Sequence, residues 1–302
     1  MKFGKVDQED FASIDIAIPP DSEITKRTLA AAKKKKHTPV VRVGGAKWGR
    51  KDWIGKLYPK GVKEKDFLDE YAKLFDCIEL NAMFYQLYPP ATIEKWAAKV
   101  GPDFKFCPKF YQGITHMRRL KGVDNLTAAF LESINAFGDK LGPCFLQLHD
   151  NFGPKNFDTL TAYLDTLPDN FDMFLEVRNK EWFEPEHAEK LAALLGERKF
   201  GWAISDTVGR RDCVHMHLPV AKAFIRFVGS NLHPSDFSRT VDWAKRIKSW
   251  MNSGIESAYF FIHQEDEQFM PELAVYTVKQ FNEICGLKLK EVEMIGGTPL
   301  LQ

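Results

Sequence analysis

Short runs of apolar, β-branched and aromatic residues recur along this chain, and most of them close on a charged or amide side chain. Eight such runs fall at residues 40–48, 77–85, 104–110, 144–148, 173–178, 201–206, 223–229 and 258–263, separated by stretches with helical spacing. Nearly continuous apolar strands alternating with amphipathic helices predict a parallel sheet, and eight repeats predict closure into a (β/α)8 TIM-type barrel. In that architecture chemistry sits where strands end and loops begin, so the polar ends of the runs are the candidate site.

Strand alternation then assigns directions. In the second run Glu79 and Asn81 share one face, and Ile78 and Leu80 take the other. The same parity points Gln147 inward above Phe145, and Glu176 and Arg178 inward above Phe174. It sets Asp206 above Ile204 and Trp202, Arg226 above Phe224, and His263 above Phe261. Lys109, which follows Pro108 at the end of the third run, joins them. The expected constellation is three acids (Glu79, Glu176, Asp206) and three bases (Lys109, Arg178, Arg226), with Asn81, Gln147 and His263 between them. A balanced set of this kind can simply be an ion-pair network closing the mouth of a barrel. One pair would serve that purpose, whereas polar ends from at least six strands point to a pocket.

The loops after the runs supply further candidates: Trp48 and Trp53, Tyr85, Thr115-His116, His149 and Asp150, and Trp182. Aromatic side chains at a polar pocket can stack on a sugar ring or a base, while packing beneath a loop is the competing reading for each. His116 has the chemistry of an acid–base group.

Composition narrows the field. With 42 basic and 41 acidic residues the net charge is +1, so no overall field favours nucleic acid or an anionic membrane. No apolar run is long enough to span a bilayer and none follows Met1 as a leader, so the expected location is cytoplasmic. The five cysteines lie far apart without a Cys-x-x-Cys pair, which suits reduced core thiols better than structural zinc. Residues 39–286 hold the barrel, close to the ~250 residues typical of one. Residues 1–38 form an N-terminal extension and residues 287–302 a C-terminal tail. Within the extension, Asp21-Ser22 offer an N-cap for a short helix over residues 23–36, and the lysines at 33–36 read as its solvated, dipole-complementing end.

Several motifs together resemble a known family. They are Trp48 through Trp53 to Tyr58-Pro59, Glu79-x-Asn81-x-x-Phe84-Tyr85, Lys109 with Ile114-Thr115-His116, and Gln147-Leu148 with Phe152. Beyond these come Glu176-x-Arg178-x-x-x-Trp182, Asp206, and Arg226 with Gly229. In this order they resemble the family called domain of unknown function 72, the YecE-like proteins, over essentially the whole barrel. The resemblance implies a TIM-type barrel with a shared pocket at the strand ends, and it implies no reaction. Two departures stand out. Where the family tends to carry Arg-x-His-Gly this chain has Arg226-Phe227-Val228-Gly229, and where asparagines usually end the last strand it has His263-Gln264-Glu265. His263 is therefore the residue to stand in for a histidine absent at Val228, and an inactive barrel is the other outcome.

Readings of three classes follow. The first is an enzyme acting by acid–base chemistry on a small anionic or polyhydroxylated substrate. Lys109, Arg178 and Arg226 would hold its phosphate or carboxylate, with Trp48, Asn81, Tyr85, Gln147, Trp182 and His263 as further contacts; Glu79 or Glu176 would be the base and His116 the acid. A variant is a metal-dependent hydrolase or isomerase in which Glu176, Asp206 and His263 take Mg or Mn; arginines in the same ring oppose it, and no His-Glu-x-x-His spacing appears. The second is a nucleic-acid-processing protein using the lysines at 33–36, Arg118, Arg119 and Lys121, which near-neutral charge disfavours. The third is a barrel that binds without catalysing.

Overall fold

The computed structural model of the chain describes residues 3–35, 37–169 and 171–297. Nine strands are present: β1 Val40–Gly45, β2 Cys77–Leu80, β3 Lys105–Pro108, β4 Cys144–Gln147, β5 Met173–Glu176, β6 Gly201–Trp202, β7 Ile204–Asp206, β8 Lys222–Gly229 and β9 Ser257–Gln264. The helices are α1 Glu23–Lys33, α2 Phe67–Leu74, α3 Ala82–Tyr85, α4 Pro90–Ala98, α5 Asp124–Asn135, α6 Phe157–Leu164, α7 Pro185–Glu197, α8 Pro234–Ser253 and α9 Met270–Cys285. Every strand pair is parallel, in a six-stranded sheet ordered β3-β2-β1-β9-β8-β7 and a three-stranded sheet ordered β4-β5-β6. The fold is thus parallel α/β.

A single closed ladder, which the eight runs predict, is not what the described residues show. The sixth run is split at Ala203 into β6 and β7, which belong to different sheets. The third and fourth runs meet only at single bridges, Phe106 to Leu141 and Lys109 to Phe145.

Alternation sorts the apolar residues into two cores. Cys77, Cys107, Phe145, Phe174, Ala203, Phe224, Tyr259 and Phe261, drawn from both sheets, pack with one another. Their strand neighbours Ile78, Phe106, Leu146, Leu175, Trp202, Ile204, Ile225, Phe260 and Ile262 belong to the larger core, with Trp243 and Trp250 of α8. The first cluster is the lower layer beneath the candidate site. Gly44 marks how tightly β1 meets β2 there: a Cβ on it would lie 2.2 Å from the Cys77 carbonyl oxygen. Gly44→Ala is expected to destabilise the protein by ~1–3 kcal/mol through overpacking. An unchanged urea midpoint would show that the two strands can part at no cost.

The leading segment is tied to the body. Ser22 caps α1 by accepting from the Thr25 amide, and Thr25 Oγ1 donates to the Met216 carbonyl at 2.7 Å. The helix ends at Lys33, short of the expected residue 36; Lys34 and Lys35 are exposed, and residue 36 lies outside the described residues. Further upstream, Thr207 Oγ1 donates to the Gly4 carbonyl at 2.9 Å and Arg211 Nη2 to the Ile16 carbonyl at 2.9 Å. Residues 3–17 therefore run as a strap past the end of β7. All five cysteines are buried and unbridged. Among the described residues no helix is long and apolar enough to cross a membrane.

Candidate active site at the strand ends

One guanidinium organises the centre. Arg226 of β8 donates from Nε and Nη2 to the two oxygens of Glu79 at 2.8 and 2.9 Å, and from Nη1 to Glu176 Oε2 at 2.8 Å. Its plane spans the space between β2 and β5, so carboxylates from separate sheets share one cation. Further donors complete Glu79 and reach the second oxygen of Glu176. Asn81 Nδ2 reaches Glu79 Oε1 at 2.7 Å, His263 Nε2 lies 3.1 Å from Glu79 Oε2, and Arg178 Nε donates to Glu176 Oε1 at 2.9 Å. Glu79, Glu176 and Arg226 are at most 1 % exposed. A charged trio this dry is tolerable only because every member is paired; removing one partner would strand the others.

The electrostatics follow from these contacts. Burial pushes the Glu79 carboxyl upward, yet Arg226 and His263 hold it well below the usual range. Burial is likewise outweighed at Glu176, which Arg226, Arg178 and Lys109 bring down to about 2. Burial disfavours the His263 cation, but Glu79 and Glu267 raise its pKa overall. A carboxylate this acidic, already bonded through both of its oxygens, is a poor proton acceptor. Glu79 and Glu176 are thus fitted to anchor the floor of the site rather than to act as its base.

Above the floor lies a cavity of about 760 Å³, lined by Lys109, Gln147, Arg178, His116, Asn81, Phe84, Tyr85 and His263 among others. Lys109 is 8 % exposed; its Nζ donates to Gln147 Oε1 at 2.6 Å and sits 4.1 Å from the centre of the Phe84 ring. Burial, with Arg226 and Arg178 nearby, lowers its pKa to about 7. His116 stands on a π-helical turn, Gly113–Met117, a distortion that often marks functional sites. Its Nδ1 is 2.8 Å from Thr115 Oγ1, and burial together with Lys109 lowers its pKa to about 4, so the ring is neutral at pH 7. The strap closes one side. Phe3 lies on the Arg178 guanidinium at 3.9 Å, and Lys5 Nζ is 3.3 Å from Glu265 Oε2.

Three expected members of the site sit elsewhere. Asp206 faces away from the cavity: it accepts from Arg239 Nη1 at 2.9 Å, from Trp243 Nε1 at 2.6 Å and from Arg211. The inward positions of that run are Gly201, Ala203 and Ser205, small residues that leave room for the phenylalanines; a Cβ on Gly201 would be 2.2 Å from the Phe174 ring. Trp48 packs edge-on against Trp96 and Phe106, at 5.4 and 6.5 Å, so it supports α4 and β3 and does not face a ligand. Trp182 is fully buried and donates to the Phe152 carbonyl at 2.7 Å. With Asp206 turned away, the metal variant loses one of its three ligands. Among the described residues no group of three or more His, Cys, Asp or Glu is placed to hold a metal.

Other residues join the site unannounced. Lys47 and Arg50 after β1, Phe84, Gln112, and Glu265, Asp266 and Glu267 after β9 all line the cavity. Their signal was position, since each follows the end of a strand within a few residues. The acids are engaged with Lys5, Arg50 and His263 respectively. Ser205 points inward beside Arg226 in register. Contrary to the expectation that the chain has no His-x-His spacing, His215 and His217 form such a pair; it stacks on Trp202, away from the cavity. Val228 is the register partner of His263, so the imidazole stands on the strand beside the position where the resembling family tends to have its own.

Parallel strands joined through helices, with a polar cavity at their C-terminal ends, define an α/β protein of the kind that carries chemistry on its strand-to-helix loops. The sequence model of the family described as "Protein of unknown function DUF72" matches residues 42–293, and the chain belongs to that family. It is 28 % identical over 253 residues to the UPF0759 protein YecE of Escherichia coli (strain K12), covering 78 % of this chain and 90 % of that one. To the UPF0759 protein YunF of Bacillus subtilis (strain 168) it is 28 % identical over 172 residues, 54 % of this chain and 58 % of that one. The crystal structure of a DUF72 family protein from Enterococcus faecalis V583 superposes with a TM-score of 0.62 at 18 % identity, covering 84 % of this chain and 98 % of that one. One from Thermotoga maritima MSB8 does so with a TM-score of 0.61 at 20 % identity, covering 82 % and 100 %. These structural likenesses speak for the fold alone.

Proposed function

We propose that the chain is a cytoplasmic enzyme acting by proton transfer on a small phosphorylated or carboxylated substrate, in a pocket at the mouth of a TIM-type barrel. The bridge from Lys109 to Phe145 and the passage of the chain through Ala203 support reading the two sheets as arcs of one barrel, with β6 and β7 as one strand. Five unbridged, buried thiols suit a reducing compartment.

One observation carries the anion preference. Once Asp206 is assigned to α8, two carboxylates face Arg226, Arg178 and Lys109, and both carboxylates are consumed by the floor. Toward the floor the bases outnumber the carboxylates, the rim acids Glu265, Asp266 and Glu267 being engaged with Lys5, Arg50 and His263, and among the described residues the Nη groups of Arg178 have no hydrogen-bond acceptor. Proton transfer then falls to Lys109 and His116, the at least partly buried basic lining groups for which no carboxylate partner is found among the described residues; Lys47, also unpaired among them, is exposed.

Titration calorimetry with inorganic phosphate and with pyruvate tests the reading. Either anion is expected to bind, and Arg178→Gln to weaken it about tenfold or more, since a hydrogen bond to a charged group is worth ~1.5–3 kcal/mol. Affinity for pyruvate, which is a monoanion throughout, should also fall as pH rises from 6 to 8, because Lys109 with a pKa of about 7 loses its positive charge across that range. Absence of binding by any small anion would end this reading. The self-contained Arg226 network favours a second one, a barrel that binds such anions without turning them over, in which Lys109 would be chemically inert.

A further inference from the structure

We propose that Lys109 is a nucleophilic amine, forming a Schiff base with the carbonyl carbon of a small aldehyde or ketone that carries an acid group. This inference rests on the anion pocket proposed above and names the substrate class that pocket takes.

The geometry of Lys109 sets it apart from the other buried bases. Arg226 pairs with Glu79 and Glu176, Arg239 with Asp206 and Asp236, and His263 contacts Glu79. Lys109 is equally enclosed, yet among the described residues no carboxylate lies within ion-pairing distance of it. Its surroundings are the Gln147 amide oxygen and the faces of Phe84 and Phe145, at 4.1 and 5.7 Å from Nζ. A lysine shut off from water beside other cations is the arrangement that activates an amine, because both effects disfavour its protonated form, against the attraction of the Phe84 face for an ammonium. An uncharged amine donates one hydrogen to Gln147 and still offers its lone pair to the cavity. The pKa of about 7 agrees, leaving a substantial uncharged fraction at neutral pH. A purely structural lysine would instead be expected to end on a carboxylate or in water.

The chemistry balances without an outside oxidant or reductant. The Nζ lone pair forms a bond to the carbonyl carbon as the C=O π pair moves to oxygen, and a proton passes from nitrogen to that oxygen to give a carbinolamine. The C–O bond then breaks, oxygen leaves as water with a second proton taken up from solvent and relayed through the cavity, and the nitrogen lone pair closes the C=N bond of a protonated imine. His116 lines the same cavity with a neutral ring, Nδ1 engaged by Thr115, and is placed to carry these protons. Arg178 holds the acid group of the same molecule, and the Glu79–Arg226–Glu176 floor keeps the local charge fixed while the amine changes state.

The test treats the full chain with pyruvate and sodium cyanoborohydride, followed by intact mass and peptide mapping. Reduction is expected to yield one adduct per chain, on Lys109, formed at least about tenfold faster at pH 7 than on exposed lysines such as Lys34. An ordinary lysine of pKa ~10.4 is uncharged on the order of one part in a thousand at that pH. The rate should climb through pH 7 and level off, and Lys109→Arg should abolish the fast adduct. Adducts scattered over surface lysines, with Lys109 unmodified, would overturn the proposal. If pyruvate or phosphate still binds in calorimetry under those conditions, the anion pocket survives and only the nucleophile is lost; if neither binds, both readings fall together.

Discussion

Replacing Arg226 with methionine is expected to cost the folded state ~3–5 kcal/mol, because it leaves two carboxylates in a dry core without the cation they share. The loss should depend on pH in a direction opposite to that of the parent protein. In the parent, Glu79 and Glu176 have folded-state pKa values below the ~4.3 of an unfolded chain. They therefore contribute stability that is complete above that value and is lost as pH falls toward about 2. Without Arg226, burial dominates and the same groups titrate above ~4.3, so the variant loses stability as pH rises from there. The drop in urea midpoint from parent to variant should be clearly larger at pH 8 than at pH 5, a comparison in which the buried bases common to both proteins cancel. An equal loss at both pH values would mean that water reaches the carboxylates and that the floor is not a closed ion network.

Asp206→Ala is expected to have a comparable effect on stability and little on the site. Removing the carboxylate orphans the Trp243 indole N–H and takes one of two carboxylates from Arg239, which has no exposed surface. A cost of ~3–5 kcal/mol follows from breaking a buried charge cluster, and Asp206→Asn should recover part of it by keeping an acceptor for Trp243. Phosphate affinity of the folded fraction should stay within a factor of two or so of the parent, since no cavity-lining group is touched. Near-normal stability combined with abolished anion binding would return Asp206 to the pocket.

The contrast between these two residues shows what the sequence carried. Alternation placed Glu79, Gln147, Glu176, Arg226 and His263 on one side because their strand partners Phe145, Phe174, Phe224 and Phe261 are large and mark the inner face without ambiguity. It failed in the sixth run, where the rule that big apolar residues fill the interior misleads. Neighbouring phenylalanines already occupy that interior, so Gly201, Ala203 and Ser205 face in and Trp202 and Ile204 pack toward helices. A small-large-small-large pattern held the cue, but reading it requires knowing which strands stand beside it. Trp48 and Trp182 were misplaced for a related reason: an indole after a strand looks the same whether it meets a ligand or a loop, and only Trp96 and the Phe152 carbonyl decide. The open Nη groups of Arg178 were also hidden, because they depend on which acceptors are already engaged.

The strap of residues 3–5 lies ahead of residue 42, outside the stretch shared with the family, yet it rests on Arg178 and on Glu265. Floor and side wall of the cavity thus come from stretches of the chain far apart in sequence, and a change in the leading segment can alter which molecules are admitted while the Arg226 floor stays as it is. A protein trimmed to the shared stretch would present a wider mouth than the full chain, and a ligand screen run on it would describe a different lock.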